Sequence, residues 1–142
     1  MSRSRIIGTV EEALRIEESL LGRKLPQSFR DWLLENNGAD LRNVHIFPVR
    51  DERDTRKTWE SLSYLLRNEW AEALKQFKQT TFSHLLPFAD VGTIDYYCFD
   101  YSVPKKMSEQ PVALWSRETG ETNLCADNFR SFVQKIQDGV IV

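Results

Sequence analysis

Cysteine is scarce in this chain, whose 142 residues carry only Cys98 and Cys125. Two isolated thiols do not make the disulfide framework that small secreted domains use in place of a large core. Long apolar runs are also missing. No stretch approaches the ~18 residues of a membrane span. Arg3 and Arg5 are followed only by Ile6 and Ile7 before polar residues resume, which is no signal-peptide core. Basic excess is lacking too: a net charge of −2 and a pI near 5.7 argue against a dedicated nucleic-acid binder. No repeat or low-complexity tract is visible. The expectation is a cytoplasmic protein without membrane or nucleic-acid contacts, whose mild acidity suits a basic protein partner.

What is present fits one domain, residues 1–142, of a size that buries roughly 68–70% of its unfolded surface. Its most strand-like stretch is Leu86 to Tyr101. Ile94, Tyr96 and Cys98 alternate there with Tyr97, Phe99 and Tyr101, placing apolar bulk on both sides of a period-2 ribbon. A strand apolar on both faces is covered on both, so it belongs in the middle of a sheet. Asp90-Val91-Gly92 supplies the turn chemistry between this run and the shorter run Leu85 to Ala89.

The flanking segments read as helices and shorter strands. Thr9-Val10-Glu11-Glu12 has the form of a capping box. Val10, Ala13, Leu14, Glu17 and Leu21 follow at helical spacing, one of them charged, and Gly22 is the stop. A second helix begins near Pro26, turns Phe29, Trp32 and Leu33 inward, and ends at Asn37-Gly38. Val44 to Phe47 reads as a strand stopped or put on an edge by Pro48. Asp51 to Lys57 nearly neutralises its own charge and reads as a solvated loop. A long helix from Thr58 to about Lys78 carries Trp59, Leu62, Leu66, Trp70, Ala73, Leu74 and Phe77 on one stripe. After a polar loop, Ser102 to Gln110, come a strand at Pro111 to Trp115, a turn at Glu118 to Glu121, and a short return strand at Thr122 to Ala126. Asp127 is placed to cap a last helix with Phe129, Phe132, Val133 and Ile136 inward, ended by Gly139. Arg3 and Arg5 read as a frayed terminus and Val140 to Val142 as an apolar tail. The predicted fold is α+β: a central antiparallel sheet of about four to six strands. An N-terminal helical hairpin, a long middle helix and a C-terminal helix wrap it.

Three blocks in this order resemble one family. Ile16-Glu17-Glu18 … Leu21-Gly22 … Leu25-Pro26 … Phe29 … Leu33 … Asn37-Gly38 is similar to the opening pattern of the SUKH superfamily, the Smi/Knr-like proteins. Leu86-Pro87-Phe88-Ala89 … Gly92 … Asp95-Tyr96 … Cys98 … Asp100 is similar to its central block. Pro111-Val112 … Trp115 and Ala126-Asp127-Asn128-Phe129 … Phe132 are similar to its ending. The likeness runs from about residue 10 to 136. Phe29 stands where the family usually has Tyr, Gly92 alone remains of a glycine-richer turn, and Asn128 replaces a small Ser or Thr. The resemblance implies a helix-wrapped antiparallel sheet that binds proteins. Many bacterial members are similar to immunity proteins against secreted toxins, often nucleases, and fungal relatives regulate cell-wall assembly. An immunity protein is therefore the first expectation, a regulatory adaptor the second, and an enzyme of unknown reaction the third.

The candidate partner-binding residues are Asp90, Asp95, Tyr97, Asp100, Glu118 and Trp59. The acids form a carboxylate-rich surface around the central hairpin and the turn after it, also carrying Glu121, fit to steer a basic partner. Against that stands the plain reading of Asp90 and Asp95 as turn residues and of Asp100 as a strand-end cap. Alternation sets Asp95 beside Tyr97 and Phe99 and opposite Asp100, so the two do not pair as acid and base. No catalytic motif is present, and no enzyme activity is expected. No cofactor is expected either. His45, His84, Cys98 and Cys125 lack the spacing of a zinc site, and a buried Cys98 reads as core. Trp32, Trp70 and Trp115 read as core as well. Trp59, at a helix start after the charged segment, is the candidate exposed anchor, and Tyr97 and Tyr101 are further aromatic candidates.

Overall fold

A computed structural model describes residues 7–77, 82–92, 95–102 and 109–140. Arg3, Arg5, Lys78, Ile94, Ile141 and Val142 lie outside these, as does most of the polar loop after Ser102. Two helices open the chain, α1 (Glu11–Leu21) and α2 (Gln27–Asn36). The strands β1 (Asp40–Leu41) and β2 (Val44–Ile46) follow. A 3-10 turn (Glu52–Asp54) leads into the single-turn α3 (Thr55–Thr58). Next come α4 (Leu62–Leu65), a π-helical segment (Leu66–Trp70) and α5 (Ala71–Leu74) as one continuous helical run. Then come β3 (Leu85–Val91), β4 (Asp95–Asp100), β5 (Val112–Trp115), β6 (Thr122–Ala126) and α6 (Phe129–Gln137). The six strands form one antiparallel sheet in the order β1-β2-β3-β4-β5-β6. The fold is α+β, as the pattern predicts.

β4 lies inside the sheet and its four central residues are buried, so both of its faces are covered. Tyr97 and Phe99 look toward α2 and α6. Phe29, Phe88, Phe99, Phe129 and Phe132 form one aromatic layer there, with Phe88 stacked on Phe99 at 4.0 Å. On the other face Tyr96 meets Trp70 and Trp115, whose rings cross at 4.8 Å, and Phe77 and Phe82 close over Trp115. Each fully buried Phe contributes roughly 1.5–3 kcal/mol of transfer free energy, so these two layers dominate the folding balance.

Pro87 sits inside an interior strand, where a missing amide ordinarily breaks a ladder. The register shifts between Pro87 and Ala89, leaving Phe88 as the extra residue of a bulge. Its carbonyl accepts from the Phe47 amide at 2.9 Å, so the bulge ties the end of β2 to the centre of the sheet.

Several local expectations give way to tertiary contacts. Thr9 does not cap α1: the N-cap is Val10, and the buried Thr9 hydroxyl donates to Asp51 Oδ2 at 2.8 Å. Asp51 is therefore no loop residue in water but 3% exposed, and 3-10 and α-helical turns run on from it. β2 stops at Ile46, ahead of Pro48 as one reading of that proline has it, and is not an edge, because β1 covers its outer side. The middle helix begins at Leu62 rather than Thr58. The Thr58 hydroxyl donates to the Asp54 carbonyl and accepts from the Asp51 amide, which ends α3 there. Ser61 then caps the Tyr64 amide, and the Leu62 amide donates to the Pro48 carbonyl. The charged exception on the α1 stripe, Glu17, is 1% exposed, and its Oε2 accepts from the Ser63 amide in the first turn of α4. Asn128, not Asp127, caps α6 by accepting from the Ser131 amide at 2.8 Å.

Candidate functional site: an acidic and aromatic surface

Asp90 belongs to β3 and not to a turn. The strand continues through Val91 because Asp90 pairs with Tyr96 on one side and with His45 on the other. These cross-strand partners put the three side chains on one face. His45 in turn holds Asp40 through Nδ1 and Oδ1 at 2.7 Å. Asp90 is half-buried, and burial pushes its carboxyl above the usual carboxylate range. Positive charge on His45 opposes that rise, while the charges of Glu69, Asp40 and Glu60 add to it. Carboxylates from β1, the π segment and the helix break thus all act on the one in β3.

The break also presents an aromatic pair. Trp59 is 51% exposed and Tyr64 37% exposed, and their rings meet edge to face at 5.2 Å. Trp59 is free of the core because the helix stops at Thr58 and restarts at Leu62, turning it away from the stripe that Leu62 and Trp70 bury. Glu60, beside it in the chain, is one of the charges that act on Asp90. Large apolar rings framed by charge are the usual make-up of a protein contact.

The other candidates do not join this group. Asp95 is half-buried and accepts from the Arg117 amide at 3.2 Å, pinning the turn after β5. Asp100 accepts from the amide and hydroxyl of Ser102 at 2.8 and 2.6 Å, closing the strand end. Tyr97 is 4% exposed and packs on Phe132 at 4.8 Å; burial pushes its hydroxyl up to about 12. Glu118 stands exposed on the turn before β6. Tyr101 covers the α1–α2 connection, donating its hydroxyl to the Lys24 carbonyl at 2.7 Å with Arg23 over its ring. Sequence reading missed Asp40, Glu60, Glu69 and Tyr64, because only the sheet register and the helix break bring them toward Asp90. Cys98 is fully buried, which pushes its thiol far above the ordinary range, and it makes no reactive nucleophile. Among the described residues no group of three His, Cys, Asp or Glu is placed to hold a metal ion, and no helix is long and apolar enough to cross a membrane.

Residues 8–135 match the SMI1 / KNR4 family (SUKH-1). The chain belongs to this family. No curated protein matches the chain at a significant level. SUKH-1 membership supports a role of the immunity or Smi1/Knr4 kind, points to protein–protein interaction, and places the chain among generally non-catalytic domains.

Proposed function

We propose that this SUKH-1 chain acts as one domain that binds another protein and catalyses nothing. It serves in the cytoplasm as an immunity protein that covers the active face of a cognate, basic toxin domain, a nuclease being the best fit. The observation that carries this reading is the exposed Trp59–Tyr64 pair, with Glu60 beside Trp59 in the chain and the charges of Asp40, Glu60 and Glu69 all acting on the half-buried Asp90. Like charges acting on Asp90 cost free energy in the isolated protein. A cationic surface recovers that cost on docking and is drawn in faster by the same field. Trp59 is the anchor at the centre of an interface of about 1,600 Å² in total. Glu118 extends the acidic surface toward the other end of the sheet. Asp95, Asp100 and Tyr97 serve it only indirectly, by holding the turn after β5, the end of β4 and the packing under α6.

The test is co-expression with the product of the neighbouring gene, scored for rescued growth and for a complex that survives purification. Rescue by the natural chain and its loss in Asp90→Lys plus Trp59→Ala, with the variant still folded, is the expected result. Undiminished rescue by that variant sinks the proposed surface. Failure of the natural chain to rescue or bind any neighbouring product sinks the immunity reading and leaves the adaptor.

A further inference from the structure

Between the middle helical run and β3 lies a cavity of about 360 Å³. Leu66, Trp70 and Leu74 wall it from the helical side, and Phe82, Leu85 and Leu86 from the β3 side. Trp70, Phe82, Leu85 and Leu86 are buried, so its walls are fixed by packing. Small-molecule sites run from roughly 300 to 1,000 Å³ and are mostly apolar, and this cavity fits the lower end of that range. Leu66 and Trp70 are also the two ends of the π-helical segment. An extra residue in the turn bulges the helix there, and such bulges recur at functional sites.

One ionic group meets this apolar lining. Among the described lining residues only Arg23, just past the end of α1, carries a charge. Its Nη2 donates to the Ser83 carbonyl at 2.8 Å on the exposed side, and its Cζ lies 4.4 Å over the centre of the Tyr101 ring. Those two contacts fix the orientation of the guanidinium. Its other nitrogen, Nη1, is shut away from water and has no hydrogen-bond partner. The aromatic face offsets part of the charge but supplies no oxygen to Nη1. Arg30, Arg50 and Arg53 each take a carboxylate, whereas among the described residues none pairs with Arg23. A charged donor left without an acceptor is costly, and an oxyanion returns that cost through a charge-assisted bond.

The chemistry of the occupant follows from these walls. It needs one anionic oxygen for Nη1 and a slim apolar body for the leucines, Trp70 and Phe82. A cation is repelled by Arg23, and a neutral hydrocarbon leaves Nη1 unbonded. A peptide segment would bury amide groups that so apolar a lining cannot pair. We propose that the cavity binds a small monocarboxylic acid with a straight apolar chain. Its carboxylate sits on Arg23 Nη1 and its chain runs between the helical run and β3. None of these residues belongs to the surface around Asp90 and Trp59, and the proposal stands without the immunity reading.

The test titrates the isotope-labelled full chain at neutral pH with sodium octanoate, with octanol and with octylamine. Octanoate is expected to shift the Leu66 and Leu74 methyl signals and the Arg23 guanidinium signals, to saturate at about 1 mM or below, and to raise the thermal midpoint. Octanol and octylamine are expected to bind at least ~10-fold more weakly. Arg23→Met should weaken octanoate to the level of octanol. Should Arg23→Met fail to fold, Leu74→Phe replaces it, narrowing the cavity and weakening octanoate at least ~10-fold. Leu66, Leu74 and Arg23 signals that stay silent at millimolar octanoate overturn the proposal. Equal binding of octanol or octylamine overturns it, as does octanoate that shifts scattered surface residues and leaves Arg23 unmoved.

Discussion

Thr9 and Asp51 lie 42 residues apart in sequence and share a buried hydrogen bond of 2.8 Å from the hydroxyl to Oδ2. Asp51 also takes the Arg53 guanidinium at 2.7 Å and the Arg53 amide at 2.9 Å, and Arg53 reaches on to the Gly8 carbonyl. The N-terminal entry, the 3-10 turn and α3 are thus held at one carboxylate. Beside them the chain passes so close to α2 that a Cβ on Gly8 would collide with the Leu34 carbonyl oxygen.

The hydrogen bonds from Arg53 hold the Asp51 carboxyl at about 2, below its ordinary 3.8, with burial opposing and Thr9 assisting. A depressed folded-state value means that this stabilisation is full above the unfolded value and is lost as pH falls through the folded one. Stability is therefore expected to drop between about pH 4 and pH 2, by up to about 2 kcal/mol from this group. Asp51→Asn should flatten that part of the profile and cost about 1–3 kcal/mol at neutral pH, read by urea denaturation across pH. A profile with the same acid limb in Asp51→Asn would falsify the assignment.

Asp90 predicts the opposite sign. Its carboxyl is raised, so the charged form is unfavourable in the fold and stability improves as pH falls through its titration. Asp90→Asn is expected to leave the free protein as stable or more stable at neutral pH, while slowing association with a basic partner and reducing its salt dependence. Paired thermal melts and stopped-flow association rates check both halves.

The tryptophans separate surface from core. Trp59→Ala should change stability by less than about 1 kcal/mol, since half of the residue faces solvent. Trp70→Ala empties a site 4% exposed that touches Trp115 and Tyr96, and should cost about 3–5 kcal/mol. Similar losses in the two variants would show that Trp59 is packed and not an anchor.

The α6 cap offers a sequence-local test. Asn128→Ala is expected to cost about 1 kcal/mol, while Asn128→Ser and Asp127→Ala stay near the natural stability. Denaturation midpoints of the three variants decide it.

Much of the architecture was legible because it rests on period. Alternation at Tyr96 to Phe99 predicts an interior strand, and i, i+3, i+4, i+7 spacing predicts the face of α6. The errors fall where one side chain has two available partners. Thr9 and Asp127 both carry the right chemistry for a cap, and Thr58 continues an unbroken apolar stripe. The distant Asp51, the neighbouring Asn128 and the hydroxyl-bonded turn at Asp54 settled each case. The candidate surface was less legible. Asp90 and Trp59 stand out as residues, but nothing in their spacing announces Asp40, Glu60 or Glu69.

The sequence by itself determined the α+β pattern and the two aromatic faces of β4, because burial of apolar area follows from periodicity, while its three ordered motif blocks carried the likeness to the family. Only the tertiary structure decided which carboxylates act on Asp90, where the middle helix breaks to release Trp59, and which strand closes the sheet. Those depend on register and on hydrogen bonds between residues far apart in the chain, and a one-dimensional pattern carries neither.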